Sequence, residues 1–173
     1  MGVGFAREAR LILALVIAGT EPALAAPLIA ATEACPAPDG WPPWSSEGLA
    51  AYRAALLARP PVVQTFPRTG QRGRPRRPRL VAHPRLRYGQ VVKQRDARHP
   101  IVAVRTRAVF GAPPLADIRT VYLERQNGTL RHANRRLTRK TLAFSKALTG
   151  LRAQLTTYPA YANLCRPHRG LAR

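Results

Sequence analysis

The chain of 173 residues is about the size of one domain and long enough to bury a core. It carries 29 Lys plus Arg against 8 Asp plus Glu, a formal net charge of +21. A field of that sign favours polyanions, nucleic acid first and an anionic membrane surface second. The two cysteines, Cys35 and Cys165, form no CxxC pair, which argues against a zinc site, and a disulfide between them would require export. Lysines occur only at 93, 140 and 146, so the charge is almost all Arg. Arginine suits bidentate phosphate contacts. A GC-rich genome, signalled by abundant Ala, Pro and Gly, explains it equally well.

In chain order, residues 1–26 pose the first choice. Arg7 and Arg10, the apolar run Leu11 to Ala18 and the segment "ALAA" have the layout of a secretory signal peptide. The run is too short to span a membrane. "RLILALVIAG" also reads as a buried strand, and periodicity cannot separate the two. Glu21 to Cys35 is Ala-rich and predicts a helix despite Pro27, and "PAPDGWPPW" is a turn-rich break. "WPPWS" allows a short strand. "SSEGLAAYRAALLAR" predicts a helix with Ser45 or Ser46 as cap and Leu49, Tyr52, Leu56 and Leu57 on its apolar face. "VVQTF", Val62 to Phe66, predicts a strand. Arg68 to Arg87, rich in Arg, Pro and Gly, predicts an extended loop. "YGQVVKQR" and "PIVAVRTRAVF" alternate between apolar and basic residues and predict a β-hairpin with a basic outer face.

The last third predicts two helices. Over Thr120 to Leu137, Leu123, Leu130 and Leu137 recur every seven residues. Over Thr141 to Leu164, Phe144, Leu148, Leu151, Leu155 and Tyr158 form an amphipathic stripe, with Pro159 expected to kink or end the helix.

Few residues qualify for chemistry. Glu124 is the only acid in "TVYLERQNGTLR", beside the apolar stripe, with Arg131, Arg135 and Arg139 farther along the same expected face. It reads either as a surface ion pair worth tenths of a kcal/mol or as a metal-binding acid beside a phosphate-binding row. Mg²⁺ in phosphoryl transfer requires converging oxygen ligands. Glu47, at the expected end of a strand and ahead of a helix, is the best second acid; otherwise it is a first-turn Glu favouring the helix dipole. "RGRPRRP" contains Arg-Gly-Arg-Pro, similar to the core of the AT-hook, but a general phosphate-contacting loop through Arg72, Arg74, Arg76, Arg77 and Arg79 is the broader reading. Asn127-Gly128-Thr129 fits a glycosylation acceptor, relevant only to a eukaryotic secretory protein. His83, His99, His132 and His168 show no ligand spacing.

The segment "YLERQNGTLRHANRRLTRKTLAFSKAL", with Tyr161, Asn163, Pro167 and His168 in a Y-x-N-x-x-x-P-H arrangement, resembles the C-terminal signature of bacterial insertion-sequence transposases of the DDE class, most closely the insertion-sequence-one type. "LRYGQVVKQR" and "RAVFG" resemble the basic segment ahead of that signature. The resemblance covers the chain from about Arg10 onward and is strongest from Arg68 to the end.

It implies an α/β fold: a partial ribonuclease H-like core with a basic β-hairpin insertion and two C-terminal helices. The implied segments are 8–66 (N-terminal part of the core), 67–87 (basic loop), 88–111 (hairpin insertion) and 112–173 (helical part with the last catalytic Glu). Residues 10–19 are then a core strand rather than an export signal. Glu124 falls on the family's last catalytic and metal-binding acid. Glu47 stands where the family has Asp, and the first acid has no counterpart. The resemblance thus implies a truncated, inactive transposase remnant, with Mg²⁺ as the ancestral cofactor and double-stranded DNA as partner. Arg72, Arg74, Arg76, Arg77, Arg79, Arg131 and Arg135 would hold the DNA. A homo-oligomer is left open, no membrane is implied, and the expected location is cytoplasmic and nucleoid-associated, with export as the alternative.

Overall fold

In a computed structural model, residues 1–35, 40–68, 70, 74, 76–98, 100–138 and 140–167 are described. Arg72, His99, Arg139 and His168, singled out above, lie outside them. The elements in chain order are strands β1 (Gly2–Ala6) and β2 (Leu11–Val16), helix α1 (Ala25–Glu33), strand β3 (Trp44–Glu47) and helix α2 (Ala50–Leu57). Strands β4 (Val62–Gln64), β5 (Arg79–Val81), β6 (Tyr88–Arg95) and β7 (Ile101–Phe110) follow, then helices α3 (Val121–Ala133) and α4 (Leu148–Ala160). The protein is therefore mixed α/β. It divides into two compact units: Met1–Pro36 with Thr120–Arg173, and Ala37–Arg119. The division cuts across the segment 8–66.

In the first unit, β1 and β2 pair antiparallel, with Val3 opposite Leu15 and Phe5 opposite Ile12 across a bulge. The apolar run is thus a strand, and Ile12 and Ala14 are buried on one of its faces. Helix α1 lies close to β1 because Gly2 and Gly4 present no side chain to it. A Cβ at Gly2 would sit 2.8 Å from Leu28, and one at Gly4 would collide with the Thr32 hydroxyl. Val3, Ile12, Leu130, Leu155, Tyr158 and Ala162 form the core, with Phe5, Leu15, Ile17, Leu123, Leu137 and Leu151 packed around it. The seven-residue leucine repeat docks as expected, although α3 ends at Ala133 and Leu137 closes a separate 3-10 turn, Arg135–Leu137.

The expected helix over Thr141 to Leu164 is corrected to α4 (Leu148–Ala160) followed by one π turn, Tyr161–Cys165. The Thr141 hydroxyl accepts the Ala143 amide at 3.0 Å, and Ala147 is extended, so residues before Leu148 turn instead of winding. Phe144, expected in the stripe, is 63 % exposed. Pro159 lacks the N–H that would bond back to residue 155. Pro159 nevertheless stays inside α4, and the π turn that follows is closed by the Arg166 amide on the Tyr161 carbonyl at 3.0 Å.

In the second unit a three-stranded sheet runs in the order β3-β6-β7, with β3 parallel and β7 antiparallel to β6. The hairpin read from the alternation of Val and basic residues is present, closed by the Asp96 amide on the Pro100 carbonyl at 3.0 Å. The expectation of an extended loop through 68–87 is corrected at its C-terminal part. Arg79–Val81 pairs antiparallel with Val62–Gln64, so a two-stranded clip closes the basic segment at its base. No helix among the described residues is long and apolar enough to cross a membrane.

Candidate nucleic-acid interface

Glu124 lies in the first turn of α3, where a carboxylate is favoured by the helix dipole. It is half-buried, and its Oε1 accepts the hydroxyl of Thr120, itself 3 % exposed, at 2.7 Å. Tyr122, two residues earlier in the Tyr-Leu-Glu-Arg turn, carries the guanidinium of Arg10 over its ring at 3.7 Å. Glu47 is the last residue of β3, at the strand end ahead of α2. Its carboxylate is exposed and lies 3.7 Å from the Lys93 ammonium. The two acids belong to different units. Among the described residues no group of three or more His, Cys, Asp or Glu side chains could hold a metal ion. Mg²⁺ calls for several converging oxygens, and the described carboxylates do not make up that set. Cys35 and Cys165 are free thiols.

The loop arginines Arg74, Arg76, Arg77 and Arg79 are all exposed. Two of them are mounted on the clip. The guanidiniums of Arg76 and Arg79 lie 5.7 and 5.6 Å from the centre of the Phe66 ring, and Arg79 also donates to Gln64 Oε1 at 3.1 Å. A second aromatic mount adjoins this segment. Trp41 stacks on His83 at 4.4 Å, with Arg85 5.8 Å from its ring centre. Arg131 is exposed on the last turn of α3. Arg135 is exposed too, but it lies past the helix end in the 3-10 turn, so it does not continue the helical face with Arg131.

Sequence reading missed a buried polar chain inside the second unit. Gln90 and Tyr88 are fully buried. Arg107, directly opposite Gln90 on β7, donates from Nε and Nη2 to Gln90 Oε1 at 3.1 and 2.6 Å. A guanidinium has only donors, so this fixes the amide with Nε2 pointing away. Nε2 donates to the Tyr88 hydroxyl at 2.8 Å and to the Leu49 carbonyl at 3.2 Å. Ser46 gives its only proton to the Glu47 carbonyl at 2.8 Å, so Tyr88 is the donor in the 2.6 Å bond to Ser46. The donors thus run one way, from Arg107 through Gln90, Tyr88 and Ser46 to the backbone of Glu47. Burial raises the Tyr88 pKa above the usual tyrosine value, against the opposing pull of Ser46, Gln90 and Arg107. The alternation of apolar and basic residues announced the hairpin. It gave no sign that Gln90 would be an interior residue.

Asn163, part of the Y-x-N-x-x-x-P-H arrangement, has a structural role of its own. Its amide brackets β2, donating to the Ile12 carbonyl and accepting the Ile12 amide, both at 2.9 Å. It therefore acts as one residue of a neighbouring strand. Asn134 does similar work at the end of α3, donating to the Leu130 carbonyl at 2.8 Å and accepting from Gln154 at 2.9 Å. Comparison with family models, curated proteins and solved structures finds no match to this chain.

Proposed function

We propose that this chain is a double-stranded-DNA-binding protein derived from an insertion-sequence transposase, built on a remnant of a ribonuclease H-like core. The observation that carries the reading is the basic segment Arg74 to Arg79, whose described arginines are all exposed and two of which are held against Phe66 above the β4–β5 clip. With a net charge of +21, contact with a duplex backbone is the interaction this surface favours. The test is duplex affinity as a function of salt. Replacing Arg74, Arg76, Arg77 and Arg79 together with Ala is expected to flatten the salt dependence by roughly three to four units of slope. An unchanged slope rejects the loop as the binding element.

A second reading, metal-dependent strand cleavage and transfer, is favoured by one placement. Glu47 ends a strand that is paired in parallel and immediately precedes a helix, where open α/β sheets carry functional acids. Glu124, in the other unit, is the second acid that the resemblance names, with Mg²⁺ as the ion of that chemistry. Because the described carboxylates do not form a full ligand set, no step is assigned to the ion. A Mg²⁺-dependent nicking assay separates the readings. Nicking lost in Glu124→Gln with DNA binding retained establishes the enzyme, and no nicking by the parent chain leaves the binding protein.

A further inference from the structure

We propose that Arg107 is a second phosphate anchor, presented on the hairpin by the buried chain beneath it, and that it grips a phosphodiester of the DNA backbone. The inference rests on the DNA-binding reading but not on the basic loop. Three observations carry it. First, Arg107 is exposed, yet its guanidinium is tied at two nitrogens to a side chain that is fully buried. Two of its five donors are thereby used to fix its orientation. The others have no partner among the described residues and remain for an anion. Second, Gln90 is itself held at Nε2 by Tyr88 and the Leu49 carbonyl, so the mount cannot swing. A fully satisfied buried network rigidifies what it supports. Third, the strand register places Arg105, opposite Val92, on the same face of β7 as Arg107. Both are exposed, and the face is positive without an acid in either strand.

An exposed arginine on a flexible stem spends side-chain entropy each time it meets a phosphate. A guanidinium already locked from below spends little of it, which is the advantage of preorganisation. The same hydrogen-bond chain ends on the backbone of Glu47, so the anchor and the β3–α2 corner are held in register within the second unit. Neither a phosphopeptide nor a lipid headgroup is needed to account for the site. The polyanion that the rest of the chain favours is sufficient.

The experiment compares the full chain with single variants for binding to a fluorescent duplex of mixed sequence across a salt series. Arg107→Ala is expected to weaken binding roughly tenfold and to reduce the salt slope by about 1. Arg107→Lys keeps the charge but loses the two-point mount. It is expected to weaken binding about three- to fivefold with the slope unchanged. Arg152→Ala, an exposed arginine on α4, controls for the loss of one charge. Arg107→Ala matching that control within about twofold, at the same slope, overturns the proposal. The four-arginine loop variant separates the two assignments. If it loses binding while Arg107→Ala is silent, the loop stands and the anchor falls. If Arg107→Ala weakens binding while the loop variant behaves as the parent, the anchor stands and the loop falls. A chain that binds no duplex overturns both.

Discussion

The two units hold themselves together in different ways. The first buries a cluster of aliphatic and aromatic side chains, Val3, Ile12, Leu130, Leu155 and Tyr158, and its amides Asn163 and Asn134 satisfy backbone groups beside that cluster. The second has fewer apolar residues inside, among them Leu56, Leu86, Val91 and Ile118, and runs a polar chain through the middle of its sheet. Apolar burial is non-directional and tolerant, whereas a buried polar chain fixes geometry and is costly when broken. The contrast teaches where orientation matters: the unit with the basic loop and hairpin is the one that fixes side-chain direction.

The largest expected effect breaks the contrast at its apolar end. Leu130 is fully buried at the centre of the first unit's core. Leu130→Ala should cost about 2–5 kcal/mol through lost transfer energy and a cavity. Both tryptophans, Trp41 and Trp44, lie in the second unit. Their fluorescence therefore reports that unit while far-UV circular dichroism reports the helices. The expected result is a helical transition moved to lower denaturant with the tryptophan transition little changed. A single coincident shift of both would show that the units do not unfold separately.

Next in size is a strained position in the second unit. Gly111 has φ 64°, and a Cβ there would collide with the Leu86 carbonyl oxygen, which belongs to the backbone and cannot swing aside. Gly111→Ala should destabilise by roughly 1–3 kcal/mol, read as a lower tryptophan-detected midpoint. A neutral result would mean that the turn after β7 relaxes freely.

Tyr88→Phe tests the polar chain itself. It removes the group that joins Gln90 to Ser46 while keeping the ring, at a cost of about 1–2 kcal/mol. Its pH signature is distinctive. With the folded pKa raised by burial, Tyr88 stays protonated in the native state when the unfolded chain begins to ionise. The parent should hold this contribution below the ordinary tyrosine pKa and lose it as pH rises through the raised value. The Phe variant should lack that alkaline loss. Equal alkaline slopes in the two proteins would show that Tyr88 ionises as readily folded as unfolded.

Much of this was legible in sequence wherever the signal was a local period. The heptad-spaced leucines of α3, the Leu151, Leu155 and Tyr158 part of α4, the hairpin strands and the Val62–Gln64 strand all follow from apolar spacing. What escaped was non-local. Strand β1 begins with glycines that weaken any local strand signal, yet they are needed because α1 passes close by. Strand β5 is three residues long in a run of Arg and Pro, and only its partner 15 residues away makes it a strand. Asn163 bonds to a residue 151 positions distant. Apolar spacing does not mark Gln90 as interior, because besides Tyr88 on its own strand its partners are Leu49, 41 residues earlier, and Arg107 on β7.

The smallest expected effect is the most informative about the acids. Glutamine at 124 can still accept the Thr120 hydroxyl, so Glu124→Gln removes the charge and little else from that contact. If the carboxylate serves the helix, losing it from the first turn of α3 should destabilise the first unit by about 0.3–1 kcal/mol. If it is a functional acid kept at some expense to the fold, the substitution should instead be neutral or stabilising, as relief of a functional constraint often is. The sign of a small change in the chemical-denaturation midpoint, with Glu47→Gln beside it as an exposed acid at a strand end, therefore bears on the role of Glu124 without any assay of activity. A clear loss of stability at 124, unaccompanied by loss of Mg²⁺-dependent nicking, would leave that carboxylate a first-turn charge serving the dipole of α3 and leave the enzyme reading on Glu47 alone.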